Sequence, residues 1–181
     1  PSVGLTSSEL SGALTLLLFG GHETTTNLIG NSVNSLLEDR EAMSRLVADP
    51  TLLGTALEEL HRFDGSTKLM VRIVGEDHER HDVAMQRGQT VFLGVLGANR
   101  DPDVFDEPTA LMLDRDNSRA HLGYGYGAHF CLGAALARLE TEVAVGRLVE
   151  RFPAMRAASD SVEWSDVLLG RGIRSLPVSL G

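Results

Sequence analysis

Cysteine is almost absent from this sequence of 181 residues, because Cys131 is the only one. A single thiol excludes an internal disulfide, so nothing in the sequence requires an oxidising compartment. Basic residues are also in the minority, since 16 Lys and Arg stand against 25 Asp and Glu and the formal net charge is −9. This acidic balance argues against nucleic acid as the main partner.

A long uninterrupted apolar run is missing as well. The run from Leu14 to Phe19 is followed at once by Gly20, Gly21 and His22. It is far shorter than the roughly 20 residues that a membrane-spanning helix needs. No stretch has the pattern of a signal peptide either, so nothing within these 181 residues predicts a membrane partner. With 43% apolar residues, the chain is apolar enough to form one domain with a buried core.

The single cysteine lies near the end of a glycine-rich stretch, Gly123-Tyr124-Gly125-Tyr126-Gly127-Ala128-His129-Phe130-Cys131-Leu132-Gly133. Apolar residues at helical spacing follow it, which predicts a helix that ends near Arg151, before Phe152-Pro153. A thiol at the start of a helix is favoured as the thiolate by the free amides and the helix dipole. Such a thiolate can be a nucleophile, a redox thiol or a metal ligand. The simpler alternative is a small buried apolar residue.

A long helix is predicted near the start of the chain, roughly over residues 7–38. Thr6-Ser7-Ser8-Glu9 has the pattern of a capping box, and apolar residues then recur at helical spacing. The middle of this helix is unusual, because it reads Gly20-Gly21-His22-Glu23-Thr24-Thr25-Thr26. Each glycine costs a helix about 1 kcal/mol relative to alanine. The segment either allows close packing, or it admits a flat ligand or dioxygen beside an acid, Glu23, and an alcohol, Thr24.

The rest of the chain predicts shorter elements. In order these are helices at 39–48 and 51–63, a strand at 68–74, a hairpin of strands at 81–84 and 90–93 around Gln86-Arg87-Gly88, a short helix at 94–98, an irregular segment at 106–122, and short strands after 155. Glu59 and Arg62 are spaced to pair on one helix face, either as a structural pair or as a solvated one. Arg72 stands among apolar strand residues, so it either has a partner or points to solvent from an edge strand.

The loop pattern Phe/Tyr-Gly-x-Gly-x-His-x-Cys-x-Gly resembles the haem-binding loop of the cytochrome P-450 family. The matching residues are Tyr124, Gly125, Gly127, His129, Cys131 and Gly133, with Tyr124 where the family more often has Phe. Three further stretches resemble family motifs in the right order. They are the distal helix motif at Gly20–Thr25, the Glu-x-x-Arg helix at Glu59–Arg62, and the turn Asn99-Arg100-Asp101-Pro102.

The resemblance implies a fold. It runs from about Thr6 to the end of the chain and corresponds to the C-terminal half of the family. We therefore expect a mainly α fold with small β-sheets (α+β), in which residues 1–181 form a single partial domain. Its main features would be a long distal helix and a helix that follows the proximal Cys loop.

The resemblance also implies a cofactor, haem b, and roles for individual residues. Cys131 would be the axial thiolate of the haem iron. Glu23 and Thr24 would manage protons, and Arg72 and His129 would bind the propionates. The other expected haem contacts are Gly20, Gly21, Tyr124, Gly125 and Gly133. Glu59 and Arg62 would form the family's structural pair, whose frequent third partner, an arginine, is replaced at that place by Ala110.

The implied function is that of a haem-thiolate monooxygenase, which inserts one oxygen atom of dioxygen into a small organic substrate. The motifs are most similar to the soluble bacterial branch, which implies a ferredoxin-type electron donor and a cytoplasmic location. One alternative is a truncated, non-catalytic remnant or interaction module whose haem pocket is incomplete. Another is a haem-thiolate gas sensor or isomerase, which would have no need of the proton groups Glu23 and Thr24.

Overall fold

A long helix opens the part of the chain that the structure describes. The structure is a computed structural model and covers residues 4–181. Helix α1 spans Ser7–Glu38. The Thr6 amide donates to the Glu9 carboxylate at 2.8 Å, and the Glu9 amide donates to the Thr6 hydroxyl at 3.3 Å. This exchange satisfies two amides of the first turn, and it confirms the predicted capping box.

The other helices follow in the predicted order. They are α2 (Arg40–Ala48), α3 (Leu53–Asp64), the short α4 (Val95–Ala98) and α5 (Ala134–Arg151). A 3₁₀ turn at Pro50–Leu52 stands where the sequence predicted the first residues of α3. Within residues 4–181, no helix is both long enough and apolar enough to cross a membrane.

The hydrophobic core lies between the C-terminal half of α1 and helices α2, α3 and α5. Its most deeply buried side chains include Leu36, Met43, Leu46, Ala56, Leu60 and Val145. The first half of α1 takes no part in this core. Leu14, Leu16, Leu18 and Phe19 are between 57% and 74% exposed, which leaves an apolar surface on that half of the helix.

In the described part of the chain, the strands form four small antiparallel sheets of two strands each. Strand β1 (Leu69–Ile73) pairs with β4 (Thr90–Gly94), β2 (His78–Arg80) with β3 (Val83–Met85), β5 (Arg156–Ala157) with β8 (Val178–Ser179), and β6 (Glu163–Trp164) with β7 (Ile173–Ser175). The predicted hairpin around residues 86–88 is therefore wrong. The tight turn lies instead between β2 and β3, where His81 and Asp82 have φ values of 51° and 61°.

A buried ion network fastens α3 to the irregular segment before the Cys loop. Arg62 donates to both oxygens of the Glu59 carboxylate, at 2.6 and 2.7 Å, and neither side chain is exposed. The expected structural pair is thus present. Its third partner is Arg115, whose Nε lies 3.0 Å from both oxygens of Glu59. Ala110 contributes only its carbonyl, which accepts from Arg62 at 3.0 Å.

Candidate functional site

A cleft of about 240 Å³ separates the middle of α1 from the Cys loop. Most of the predicted site residues line it, namely Gly20, Gly21 and Thr24 on α1 and Tyr124, His129, Cys131 and Gly133 on the loop. Two stretches more than 90 residues apart in the sequence therefore face each other across one space. A larger groove of about 520 Å³ between α2, α3 and α5 is lined by neither cysteine nor histidine.

The Cys loop is shaped by its glycines and by one hydrogen bond across its ends. Gly125 and Gly127 have φ values of 76° and 77°, in the left-handed region that glycine enters without strain. The Cys131 amide donates to the Tyr124 carbonyl at 2.9 Å, which closes the loop. The thiol of Cys131 is exposed, so the simple alternative of a buried apolar cysteine is wrong. Helix α5 begins three residues later, at Ala134, which places the thiol close to a helix N-terminus.

The opposite wall is an unbroken stretch of α1. The Thr24 hydroxyl donates to the Gly20 carbonyl at 2.8 Å, and the Thr26 hydroxyl donates to the His22 carbonyl at 2.9 Å. Of these two threonines, only Thr24 faces the cleft. A Cβ built on Gly20 or Gly21 would find no atom within 4 Å, so the space above both glycines is open.

Three of the predicted residues do not line the cleft. Glu23 is exposed on α1, next to Thr24. Gly125 shapes the loop through its positive φ rather than by forming a wall. Arg72 is exposed on β1 and donates to the Val71 carbonyl at 2.9 Å. Met70 does line the cleft, and it lies on the same face of β1 as Arg72, because strand residues two apart share a face.

A buried polar cluster beneath the loop was not predicted from the sequence. The Glu58 carboxylate lies 3.0 Å from His121 Nε2, and it accepts from Arg138 Nε at 2.6 Å. Burial opposes ionisation of Glu58, but the bonds from His121 and Arg138 outweigh it and lower the pKa of Glu58 to about 2. These residues come from α3, from the segment before the loop and from α5. No local pattern links them.

Two aromatic side chains complete the floor of the site. The His61 ring lines the cleft and meets the Tyr124 ring edge-on, with centroids 4.4 Å apart. Burial lowers the pKa of His61 to about 3, so His61 is neutral at pH 7. Burial likewise raises the pKa of Tyr124 to about 12, and the Arg138 guanidinium lies 4.5 Å from the centroid of the Tyr124 ring. Both rings therefore present uncharged, largely apolar surfaces beneath the loop.

These residues fit a flat iron-bearing cofactor. The exposed Cys131 thiol supplies a soft ligand on one side of the cleft. The open space above Gly20 and Gly21 leaves room for a planar ring on the other side. His129 lines the cleft in a 3₁₀ turn and provides a polar group for an acidic substituent at the ring's edge.

Comparison with known proteins gives one consistent answer. A family model described as Cytochrome P450 matches residues 43–169. The chain is 42% identical to Cytochrome P450 107B1 of Saccharopolyspora erythraea over 180 residues, which are 98% of this chain and 44% of that protein. It is 40% identical to the polyketide biosynthesis cytochrome P450 PksS of Bacillus subtilis over 179 residues, 97% of this chain and 44% of that protein.

Solved structures agree with these relatives. The PksS structure superimposes with a TM-score of 0.93, covering 97% of this chain and 46% of that one. The tirandamycin C-bound P450 monooxygenase TamI gives a TM-score of 0.94 at 41% identity, covering 98% of this chain and 45% of that one. The chain thus spans less than half the length of the curated relatives it matches. The predicted fold, a mainly helical half of the cytochrome P-450 architecture with small sheets, is confirmed, and the chain belongs to the cytochrome P450 family.

Proposed function

We propose that this chain carries the haem-binding and dioxygen-handling part of a haem-thiolate monooxygenase. Such an enzyme places one oxygen atom of dioxygen in an organic substrate, and the other leaves as water after taking up protons and electrons. One observation carries the proposal. The cleft places the only thiol of the chain, Cys131, opposite the Gly20–Thr24 stretch of α1.

Cys131 is the proposed axial ligand of haem b. Its thiol is exposed, and closure of the loop onto the Tyr124 carbonyl fixes its backbone. When bound, a haem with a thiolate ligand supplies the oxidising chemistry, because the thiolate donates electron density to the iron and favours cleavage of the O–O bond. Gly20, Gly21 and Gly133 keep side chains out of the cleft where the ring would lie.

Thr24 and Glu23 are the proposed proton-handling residues. The Thr24 hydroxyl donates to the Gly20 carbonyl, and its oxygen lone pairs remain able to accept a bond from water or a ligand in the cleft. The Glu23 carboxyl is exposed on the next residue, so it can exchange protons with solvent. Together they could carry protons from solvent to the cleft. The reaction consumes protons, and a positioned acid delivers them faster than bulk water does.

The haem propionates are the proposed partners of Arg72 and His129. Within residues 4–181, the Arg72 guanidinium donates one hydrogen bond, to the neighbouring Val71 carbonyl. It is therefore free to turn toward a carboxylate at the edge of the cleft. His129 already lines the cleft and needs no such movement. Tyr124 and Gly125 are the proposed contacts beneath the ring.

The proposed partners are a small organic substrate, dioxygen and a ferredoxin-type electron donor, and the proposed location is the cytoplasm. Two relatives support an organic substrate. TamI is a P450 monooxygenase with tirandamycin C bound, and PksS is a cytochrome P450 of polyketide biosynthesis. Both curated relatives compared above are bacterial proteins, which supports a bacterial type of electron donor.

A second candidate function is a non-catalytic interaction module. The apolar surface on the first half of α1 favours it, since Leu16 and Leu18 are 70% and 74% exposed. Size-exclusion chromatography at two concentrations tests this candidate. Association that grows with concentration and is abolished by Leu16→Glu supports it, and a monomer at both concentrations contradicts it.

A reduced carbon-monoxide difference spectrum of the chain, recorded after haem is added, tests the first proposal. We expect a strongly red-shifted Soret band, which marks thiolate ligation, and we expect Cys131→Ser to abolish it. The exposed alcohol of Ser159 provides a matched control, because Ser159→Ala should leave the band unchanged. Absence of the band in the unmodified chain would contradict haem-thiolate ligation by this chain.

A further inference from the structure

His121 connects the Cys loop to the buried Glu58 carboxylate. The Gly123 amide donates to His121 Nδ1 at 3.0 Å, and His121 Nε2 lies 3.0 Å from Glu58 Oε2. The His121 side chain is only 1% exposed, so water does not compete for either ring nitrogen. Both nitrogens of one buried ring are thus used, one toward the loop and one toward α3.

The two partners of His121 fix its protonation. The Gly123 amide can only donate, so the Nδ1 that faces it must be unprotonated. The Glu58 carboxylate can only accept when ionised, so Nε2 must carry the proton. The low pKa of Glu58, about 2, keeps that carboxylate ionised at pH 7. The hydrogen-bond network therefore assigns the proton shared with Glu58 to His121 Nε2 and leaves Nδ1 as the acceptor of the Gly123 amide.

Arg138 also binds the Glu58 carboxylate and holds it in place. Arg138, one turn into α5, donates to it through Nε at 2.6 Å and through Nη2 at 3.3 Å. The more exposed Arg119 lies 3.9 Å away. Because α3 carries this carboxylate and Arg138 of α5 binds it, two helices fix its position independently of His121.

The contact at Gly123 leads directly to the thiol-bearing residue. Gly123 is followed by Tyr124, whose carbonyl accepts the Cys131 amide at 2.9 Å. Gly123 also packs on His61. A Cβ there would lie 2.8 Å from both His61 Cδ2 and Cε1 and would clash with Nε2. The Gly123 backbone is thus held by the hydrogen bond that its amide donates to His121 and by close packing on His61.

We propose that His121 is a positioning residue for Cys131. Its Nδ1 accepts from the Gly123 amide and so fixes the backbone that leads to the Tyr124 carbonyl and the Cys131 amide, while Glu58 holds the imidazole ring in the orientation that this bond requires. The inference rests on the proposed function only in treating Cys131 as the iron ligand. The hydrogen-bond relay itself requires no cofactor.

Substitutions at position 121 separate the two halves of the relay. His121→Asn keeps an acceptor for the amide two residues ahead, because asparagine makes that bond in an Asx turn, but it cannot reach Glu58 as the imidazole does. His121→Gln has a longer side chain, which can reach Glu58 but does not favour the local turn. His121→Phe keeps the ring and loses both bonds. The proposal predicts that Asn maintains the loop best, Gln less well and Phe least well.

Amide hydrogen exchange, measured by NMR on the haem-free chain, is the test. The amides of Gly123 and Cys131 report the loop, and the amide of Val145, in the buried part of α5, reports the stability of the core. In His121→Phe we expect Gly123 and Cys131 to exchange at least about fivefold faster relative to Val145, the factor that corresponds to one neutral hydrogen bond of about 1 kcal/mol. In His121→Asn we expect a change of less than about twofold, because the local bond is kept. The ¹⁵N shifts of the unmodified ring should show a bare Nδ1 and a protonated Nε2.

Unchanged exchange of Gly123 and Cys131 in His121→Phe would overturn the proposal, as would equal protection in the Asn and Gln variants. If His121→Phe unfolds the chain, so that Val145 exchanges as fast as the loop, the Asn and Gln pair still decides. The carbon-monoxide spectrum provides a second readout, in which the red-shifted fraction should fall in His121→Phe and persist in His121→Asn. Absence of that band from the unmodified chain would contradict the proposed function, while the exchange data would still test the relay.

Discussion

Arg115 reaches the Glu59 carboxylate with one nitrogen, its Nε lying 3.0 Å from each carboxylate oxygen. Arg62 binds the same carboxylate through two nitrogens from its own helix. Backbone carbonyls accept the remaining donors, including those of Asn99 for Arg62 and Asp106 for Arg115. Two buried cations thus share one buried carboxylate, which joins α3 to the segment that leads into the Cys loop.

Loss of this carboxylate charge should destabilise the fold strongly. In Glu59→Gln, two buried guanidinium groups lose their counter-ion, and we expect the free energy of unfolding to fall by about 3–5 kcal/mol. Urea denaturation measures the change. Glu150→Gln is the matched control. The side chains of Glu150 and its partner Arg147 are 68% and 77% exposed, so this pair should contribute no more than about 1 kcal/mol. Similar losses in both variants would contradict a structural role specific to Glu59.

The close packing of Gly123 on His61 should be visible as energetic coupling. Gly123→Ala places a methyl group against the His61 ring, and we expect a loss of about 1–3 kcal/mol from overpacking. His61→Ala removes that ring, so the double variant should lose at least about 1 kcal/mol less than the sum of the single losses. Gly97→Ala is the control, since a Cβ there has no neighbour within 4 Å. Additive losses in the cycle would show that the two residues do not press on each other.

His61 should also make the fold sensitive to acid. Its pKa is lowered from 6.5 to about 3 by burial, so the folded state binds its proton more weakly than the unfolded chain does. The stability contributed by neutral His61 is complete above pH 6.5 and is lost as the pH falls toward 3. The loss amounts to at most about 1.4 kcal/mol per pH unit. Urea denaturation between pH 7 and pH 3.5 measures how the free energy of unfolding depends on pH. His61→Leu should weaken this dependence. The control His81→Asn, in an exposed turn, should leave it unchanged. An unchanged slope in His61→Leu would assign the acid sensitivity to other groups.

Elements with local signals were predictable from the sequence. The bounds of α1 follow from the Thr6 capping box and from helical spacing that continues to Glu38. The pairing of the strands was not predictable. Gly88 suggested a hairpin turn, but its amide donates to the Val74 carbonyl at 2.9 Å and extends the β1–β4 pair. The actual turn uses Asp82 with positive φ, a conformation that aspartate tolerates without any glycine to mark it.

The site divides in the same way. Thr24 and Cys131, which carry motifs, were predicted from the sequence to lie at one site, and both line the same cleft. The cluster around Glu58 was missed, because its partners His121 and Arg138 lie 63 and 80 residues away and meet only in the folded chain. Charge pairing across such distances depends on tertiary packing, which periodicity does not encode.

The open space above Gly21 should be required for the cofactor but not for the fold. Gly21→Leu and Gly12→Leu both replace glycine in α1 where a Cβ has no neighbour within 4 Å. Each should stabilise the haem-free chain by up to about 1 kcal/mol through helix propensity. Gly21 lines the cleft and Gly12 does not. We therefore expect Gly21→Leu alone to weaken haem binding, by at least about tenfold, because its side chain would overpack the site. Titration with haem, followed by absorbance, compares the two, and equal affinities would place the cofactor elsewhere.

Thr24 and Thr26 offer a matched test of proton handling. Both hydroxyls donate to the carbonyl four residues back, at 2.8 and 2.9 Å, so replacement by alanine removes the same local bond and should affect the helix equally. Only Thr24 faces the cleft. With haem, a substrate and an electron donor present, Thr24→Ala should lower the product formed per dioxygen consumed by about tenfold or more and release peroxide instead, because proton delivery loses its positioned hydroxyl. Thr26→Ala should leave that ratio unchanged. An unaltered ratio in Thr24→Ala would remove this hydroxyl from the proton path and favour a haem-thiolate role, such as gas sensing, that needs none.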